Sequence, residues 1–209
     1  MNCDFKILKP ADIEKRSFEI IEEHIKGRDI PPEQKPILKR VIHTSADFDY
    51  ADNLVFSKNA VAIGKAALQG GADIITDTNM ALSGINKRLL TSFGGCARCF
   101  MSDEDIAEEA TKRGITRAMV SMEKACGAEN DVIIAVGNAP TALIRLYELI
   151  MDKKITPKLI IGVPVGFVNV VEAKELIMQS EIPYIVAKGN KGGSGIAAAI
   201  CNALLLEAR

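Results

Sequence analysis

Only two histidines occur in this chain of 209 residues. One of them, His43, sits in "RVIHTSADFDY", residues 40–50, with Arg40 before it and Thr44, Ser45 and Asp47 after it. An unperturbed histidine titrates at about pH 6.5, so modest surroundings turn it into an acid or a base near neutrality. Val41 and Ile42 lead into His43, which predicts partial shielding from water. This stretch offers proton transfer beside a cationic grip, and a packed structural histidine is the plainer alternative. His24, in "EIIEEHIKG", lies off the Ile21/Ile25 face among glutamates and reads as a solvated side chain.

Two further motifs invite chemistry. Cys96 and Cys99 form a C-x-x-C. A redox or metal role wants such a pair at a helix N-terminus or beside a second pair, and here it falls in or near a strand with no second pair nearby. A structural role is the expectation. "KGNKGGSG", residues 188–195, combines glycines with cationic and polar groups, which suits either a tight turn or an anion contact. Its order is neither that of a P-loop nor that of a dinucleotide fingerprint. In "GNAPTAL", Pro140 suits the first turn of a helix.

These residues need elements to position them. "ADIITD", "GGCARCF", "DVIIAVG", "KLIIGVPV" and "PYIVAKG" read as strands, interleaved with helical segments such as "SDEDIAEEATKRG", "TRAMVSMEKAC", "PTALIRLYELIMDKK", "NVVEAKELIMQS" and "GSGIAAAICNALLLEAR". Ser102 or Asp103 is the expected cap of the first of these helices. The methionines and Cys126 of "TRAMVSMEKAC" recur at helical spacing and suit a core or a subunit interface. Apolar strands alternating with helices imply a parallel sheet covered on both faces. The expectation is a three-layer αβα domain spanning residues 1–209, with a doubly wound five-stranded parallel sheet in the flavodoxin-like order 2-1-3-4-5. The first sixty residues would be an α-rich extension, with Ile13, Ile20, Ile21 and Ile25 on the apolar stripe of its first helix. Ligands of such sheets bind outside the carboxyl ends of the strands. Four strand exits would line that edge: "DTNMALSG", "NAPTAL", "VPVGFVN" and "KGNKGGSG". Exposed backbone N–H groups there would favour anions.

Composition limits the partners. The net charge is −1, and no basic block points to nucleic acid or to a membrane surface. The apolar runs "LIIGVPVGFV" and "IAAAICNALLL" are well short of the ~18–20 residues that span a bilayer. "MNCDFKILKP" carries charges where an export signal needs an apolar core, so the five cysteines are expected as reduced thiols in the cytoplasm.

The chain resembles the precorrin-8 methylmutase family of cobalamin biosynthesis. The resemblance rests on "IEKRSFEII", "RVIHTSADFDY", "DTNMALSGI", "GITRAM", "GNAPTALIRLYEL", "PKLIIGVPVGFVNVVEAKELI" and "KGNKGGSGIAAAICNALL", and covers nearly the whole sequence. It implies an isomerase that moves a methyl group from C-11 to C-12 of a ring-contracted tetrapyrrole, without an organic cofactor or metal ligand set. It implies a homodimer with sites near the subunit interface. His43 matches the family's catalytic histidine and would shuttle the proton that sets the tautomer of the π-system. Ser17 and Arg40 match substrate-binding positions, and Arg117 in "GITRAM" is a third candidate for a carboxylate of the macrocycle. Asn190 stands where the family pattern G-R-K-G-G-S expects arginine, which puts one carboxylate contact in doubt.

Two rivals stay open from sequence. A sheet of this kind with "KGNKGGSG" could bind a nucleotide or flavin phosphate. A tetrapyrrole carrier without turnover would share every binding feature of a mutase.

Overall fold

The computed structural model describes residues 9–209. Cys3 and most of the N-terminal stretch considered above for an export signal lie outside the described residues.

Four strands carry the sheet: β2 (Asp73–Thr76), β4 (Val132–Val136), β5 (Leu159–Gly162) and β6 (Tyr184–Ala187). Nearly all their residues are buried, as runs of Ile, Val and Leu demand when both faces of a sheet are covered. A two-residue edge strand, β3 (Ala97–Arg98), runs parallel to β2. The expectation of five strands needs correction. A sixth, β1 (Leu54–Phe56), pairs antiparallel with β6, with Leu54 opposite Ala187 and Phe56 opposite Ile185. Three residues are too few to show alternation, so β1 has no sequence signature of its own. Ser57 extends the pairing: its N–H donates to the Tyr184 carbonyl, and its hydroxyl accepts from the Tyr184 N–H.

The order across the sheet is β1-β6-β5-β4-β2-β3. From β2 the chain goes outward to β3, then crosses back to β4 on the other side. The crevice between β2 and β4 is therefore the point where the winding reverses.

One face is covered by α11 (Ser194–Glu207), with α2 (Lys35–Ser45), α4 (Ala60–Gln69), α5 (Asn79–Gly84) and α6 (Lys87–Ser92) around it. α11 is apolar nearly all round because it lies beneath these neighbours. The other face is covered by α8 (Arg117–Ala125), α9 (Pro140–Met151) and α10 (Val170–Gln179), with α7 (Glu104–Arg113) packed on α8. A single turn, α3 (Tyr50–Asn53), leads into β1. No helix among the described residues is long and apolar enough to cross a membrane.

The N-terminal helix α1 (Pro10–Ile25) lies on α2. Ile21 and Ile25 are buried, but Ile13 and Ile20 are exposed, so the apolar stripe expected of this helix is only half used. Charge pairs add to the seam: Lys39 donates to Glu22 at 2.8 Å and Arg40 to Glu14 at 2.7 Å.

Candidate functional site

β2, β4, β5 and β6 are mutually parallel, so their exits share one edge. The exits are joined into a continuous rim. The Thr78 and Ser194 hydroxyls are 2.8 Å apart, linking the start of α5 to the start of α11. The β4 exit approaches the same point closely enough that a Cβ on Gly137 would lie 2.7 Å from Ser194 Cα.

The expected bare N–H groups are not free at the reversal point. Asp77 follows β2 and is fully buried. Its carboxylate accepts from the N–H groups of Gly137 at 2.8 Å, Asn138 at 2.8 Å and Ala139 at 2.7 Å. The start of α9 is thus filled from inside by a carboxylate of the protein's own. Burial raises the Asp77 pKa above the ordinary carboxylate value, against the pull of those three donors. Sequence reading passed over Asp77. The signal was an acid directly after an apolar strand, in "DIITDTN".

The glycines of "KGNKGGSG" have structural reasons. Gly189 and Gly193 have positive φ, at 75° and 133°. A Cβ on Gly192 would lie 2.1 Å from the Val163 carbonyl oxygen. Lys191 is committed to two carboxylates, donating to Asp47 and Asp49 at 2.6 Å each. Asn190 is exposed and bonds to the loop after β5: its side-chain amide donates to the Gly166 carbonyl at 2.7 Å, and its backbone carbonyl accepts from Gly166 N–H at 3.1 Å.

His43 lies in the last turn of α2, on the flank of this edge. The expectation of partial shielding is corrected here: the residue is exposed. Val41 and Ile42 turn into the core, and the next residue round the helix faces outward. One face of the imidazole stacks on Phe18 of α1, with ring centroids 5.1 Å apart. The hydroxyls beside it do not reach for it. Thr44 donates to the Arg40 carbonyl at 2.8 Å, and Ser45 to the Val41 carbonyl at 2.9 Å. Its ring nitrogens have no hydrogen-bond partner among the described residues.

Arg40 shares the Phe18 ring, its guanidinium carbon 4.8 Å from the centroid. Ser17 neighbours Phe18 and donates to the Ile13 carbonyl at 2.9 Å. The structure therefore brings Arg40 and His43 together on Phe18 along the α1–α2 seam, with Ser17 next to Phe18 in α1. Arg117 is separate. It is exposed at the start of α8, which packs on the opposite face of the sheet. Thr116, just before it, shares a 2.9 Å hydrogen bond with Thr141 of α9, so Arg117 still belongs to the carboxyl edge. Among the described residues it forms no ion pair.

Two open hollows flank the end of α2. One, of about 420 Å³, is lined by Arg40, Thr44, Asn86, Gly195 and Asn202. The other, of about 400 Å³, is lined by Thr44, Asp47, Val165, Lys191 and Gly195. Apolar side chains stand unprotected along the same edge: Phe167 is 93% exposed, Val168 77% and Met80 74%.

The remaining candidates have other surroundings. His24 is exposed, yet its ring stacks on Phe48 at 3.8 Å between centroids. Cys96 and Cys99 flank β3. Burial pushes both thiols up in pKa, the reverse of what a reactive thiol requires. Arg98 donates to the Cys96 sulfur at 3.0 Å. Asp103 is the N-cap of α7, but its side chain makes no capping bond and pairs with Lys124 at 2.7 Å instead.

Comparison with known proteins is consistent along the whole fold. A family model described as precorrin-8X methylmutase matches residues 12–207. The chain is 46% identical over 209 residues to the cobalt-precorrin-8 methylmutase of Salmonella typhimurium, covering 97% of this chain and 98% of that one. It is 36% identical to the precorrin-8X methylmutase of Pseudomonas aeruginosa, covering 93% of this chain and 94% of that one. The crystal structure of the precorrin-8X methyl mutase of Thermus thermophilus superposes with a TM-score of 0.86 at 36% identity, covering 94% of this chain and 96% of that one.

The Asp77 arrangement makes a prediction. Asp77→Ala leaves three N–H groups without their acceptor, at about 1–3 kcal/mol for each that stays unsatisfied. Urea denaturation should show a loss of at least about 3 kcal/mol, with Asp77→Asn losing less because one acceptor remains. An alanine variant as stable as the wild type would show that water replaces the carboxylate without cost.

Proposed function

The chain belongs to the precorrin-8X methylmutase family, and we propose from that premise that His43 is the proton-transfer group of its reaction. The protein is an isomerase of cobalamin biosynthesis. It moves a methyl group from C-11 to C-12 of a ring-contracted corrin precursor, formally a 1,5-sigmatropic shift. The migration needs neither a covalent nucleophile nor a redox partner. It needs the π-system in the right tautomer, which a proton on a ring nitrogen or carbon controls.

The observation that carries the proposal is the state of His43. Its ring is exposed at the rim of the sheet's carboxyl edge, one face is held by Phe18, and its nitrogens are free of hydrogen bonds among the described residues. A substrate can therefore meet those nitrogens directly. Such assistance is typically worth ~10²–10⁴ in rate. The rest of the acceleration comes from holding the macrocycle in one geometry.

Ser17, Arg40 and Arg117 are the proposed substrate contacts. Arg40 already pairs with Glu14 through one nitrogen, and a guanidinium has five N–H donors, so others remain for a carboxylate of the substrate. Arg117, on the far side of the rim, suits a carboxylate at the opposite fringe of a wide macrocycle.

The proposed assembly is a homodimer in the cytoplasm. The hollows beside α2 are open, and Ile13, Ile20, Phe167 and Val168 are exposed. Burial of such side chains is worth roughly 1.5–3 kcal/mol each, which favours a second copy closing over this region. The cobalt-bearing form is the proposed substrate, because the Salmonella relative at 46% identity is named for it and the Pseudomonas relative at 36% for the metal-free form.

Two measurements test this. Wild type and His43→Ala are incubated with cobalt-precorrin-8 and with metal-free precorrin-8, and the conjugation change is followed by ultraviolet–visible spectra. The wild type should convert the cobalt form faster, and His43→Ala should bind it but turn over ~10²–10⁴ times more slowly. Equal rates for the two proteins would make His43 structural. Sedimentation analysis should give about twice the 22.6 kDa chain mass. A species of single-chain mass would contradict the dimer.

A further inference from the structure

Lys174 is a buried cation with no counter-charge among the described residues. It lies on α10 in register with Val170, Ala173 and Ile177, the stripe that faces the core, and it is 1% exposed. Its ammonium donates to two backbone carbonyls, of Gly189 at 2.6 Å and of Lys191 at 2.9 Å. It has no ion pair among the described residues. Burial lowers its pKa to about 8 from the ordinary lysine value. A buried charge paired only with dipoles is unfavourable compared with an apolar side chain of the same length. Packing alone does not account for a lysine here.

Both carbonyls belong to the loop between β6 and α11. That loop has two other attachments. Through its side chain, Lys191 grips Asp47 and Asp49, and Asp47 is four residues beyond His43. Through Asn190, the loop is doubly bonded to Gly166, next to the exposed Phe167 and Val168. Asp47 is tied in turn to its own segment, accepting from the Asp49 N–H at 3.0 Å. A continuous chain of contacts thus runs from the inside of α10, through one loop, to the end of α2 that bears His43.

We propose that Lys174 is a positioning residue for the methyl transfer: it holds the β6–α11 loop from beneath, so that the Lys191 grip on Asp47 and Asp49 fixes the end of α2 carrying His43. The proposal rests on the reading of His43 as the proton-transfer group. Lys174 touches neither substrate nor the reacting atoms, and its effect reaches them only through the loop. Small displacements of a catalytic group are costly. A shift of 1 Å caused from a distance can lose about 10²-fold in rate.

The test compares Lys174→Met, which keeps the length and removes the donors, with Lys191→Met, which releases the grip at an exposed position, and with the double variant. Turnover of cobalt-precorrin-8 and binding of the corrin product are measured for each. Each single variant should lose about ten- to a hundredfold in kcat while product affinity stays close to that of the wild type. The double variant should be no slower than the worse single one, because both changes cut the same chain of contacts. A wild-type kcat in Lys191→Met, or losses that multiply in the double variant, would overturn the proposal. If Lys174→Met does not fold, Lys174→Gln, a shorter donor that cannot span both carbonyls, takes its place under the same expectation. His43→Ala, assayed in parallel, separates the two readings. If it turns over like the wild type, the His43 reading fails. If it is inactive while the lysine variants are normal, only the positioning proposal fails.

Discussion

Much at the carboxyl edge of this sheet follows from where the N–H groups at the start of α9 go, and they go to Asp77. In an open parallel sheet the reversal point is the usual place for a ligand, because helix starts there present unpaired donors. Here a carboxylate from the neighbouring strand exit occupies those donors and is itself fully buried. The same contact draws the β2 and β4 exits together and leaves Gly137 packed against the start of α11. The proposed proton-transfer group lies on the flank instead, where α2 ends and α1 lies over it. That flank carries the exposed histidine, the arginine stacked on Phe18 and the open hollows.

The proposed site on this flank depends on the position of one imidazole being enforced. Three devices supply this. Phe18 sits under both His43 and Arg40, with Glu14 and Glu22 pairing across the α1–α2 seam. Lys191 ties the segment after α2 to the β6–α11 loop. Lys174 and Asn190 hold that loop from inside and from the side. For the proposed proton transfer, rigid presentation of the His43 imidazole is what these contacts would provide.

Much of this was legible in the sequence, and the gaps have physical causes. The apolar strands and their shared edge were readable because burial on both faces leaves continuous Ile/Val/Leu runs, as in "DVIIAVG". β1 was not, because three residues of an antiparallel edge have no period. The family motifs singled out His43, Arg40, Ser17 and Arg117, but the two apolar residues before His43 suggested a shelter that helix geometry denies it. Exposure of Ile13 and Ile20 was hidden for the opposite reason: their spacing fits a buried stripe, and only the fold shows how narrow the contact with α2 is. Asp77 and Lys174 were passed over because charged residues are read as solvated by default. Lys174 had a signal all the same, since it occupies a core position in the Val170, Ala173, Ile177 pattern.

The proposed role of His43 is to deliver and recover a proton as the methyl group moves. A single-turnover experiment with enzyme in excess, run in light and heavy water at matched acidity, tests it most directly. If proton transfer by His43 is part of the rate-limiting step, the migration is slower in heavy water, and the difference vanishes in the residual activity of His43→Ala. Identical single-turnover rates in the two solvents for the wild type would contradict the account and place the barrier in a migration that no proton assists.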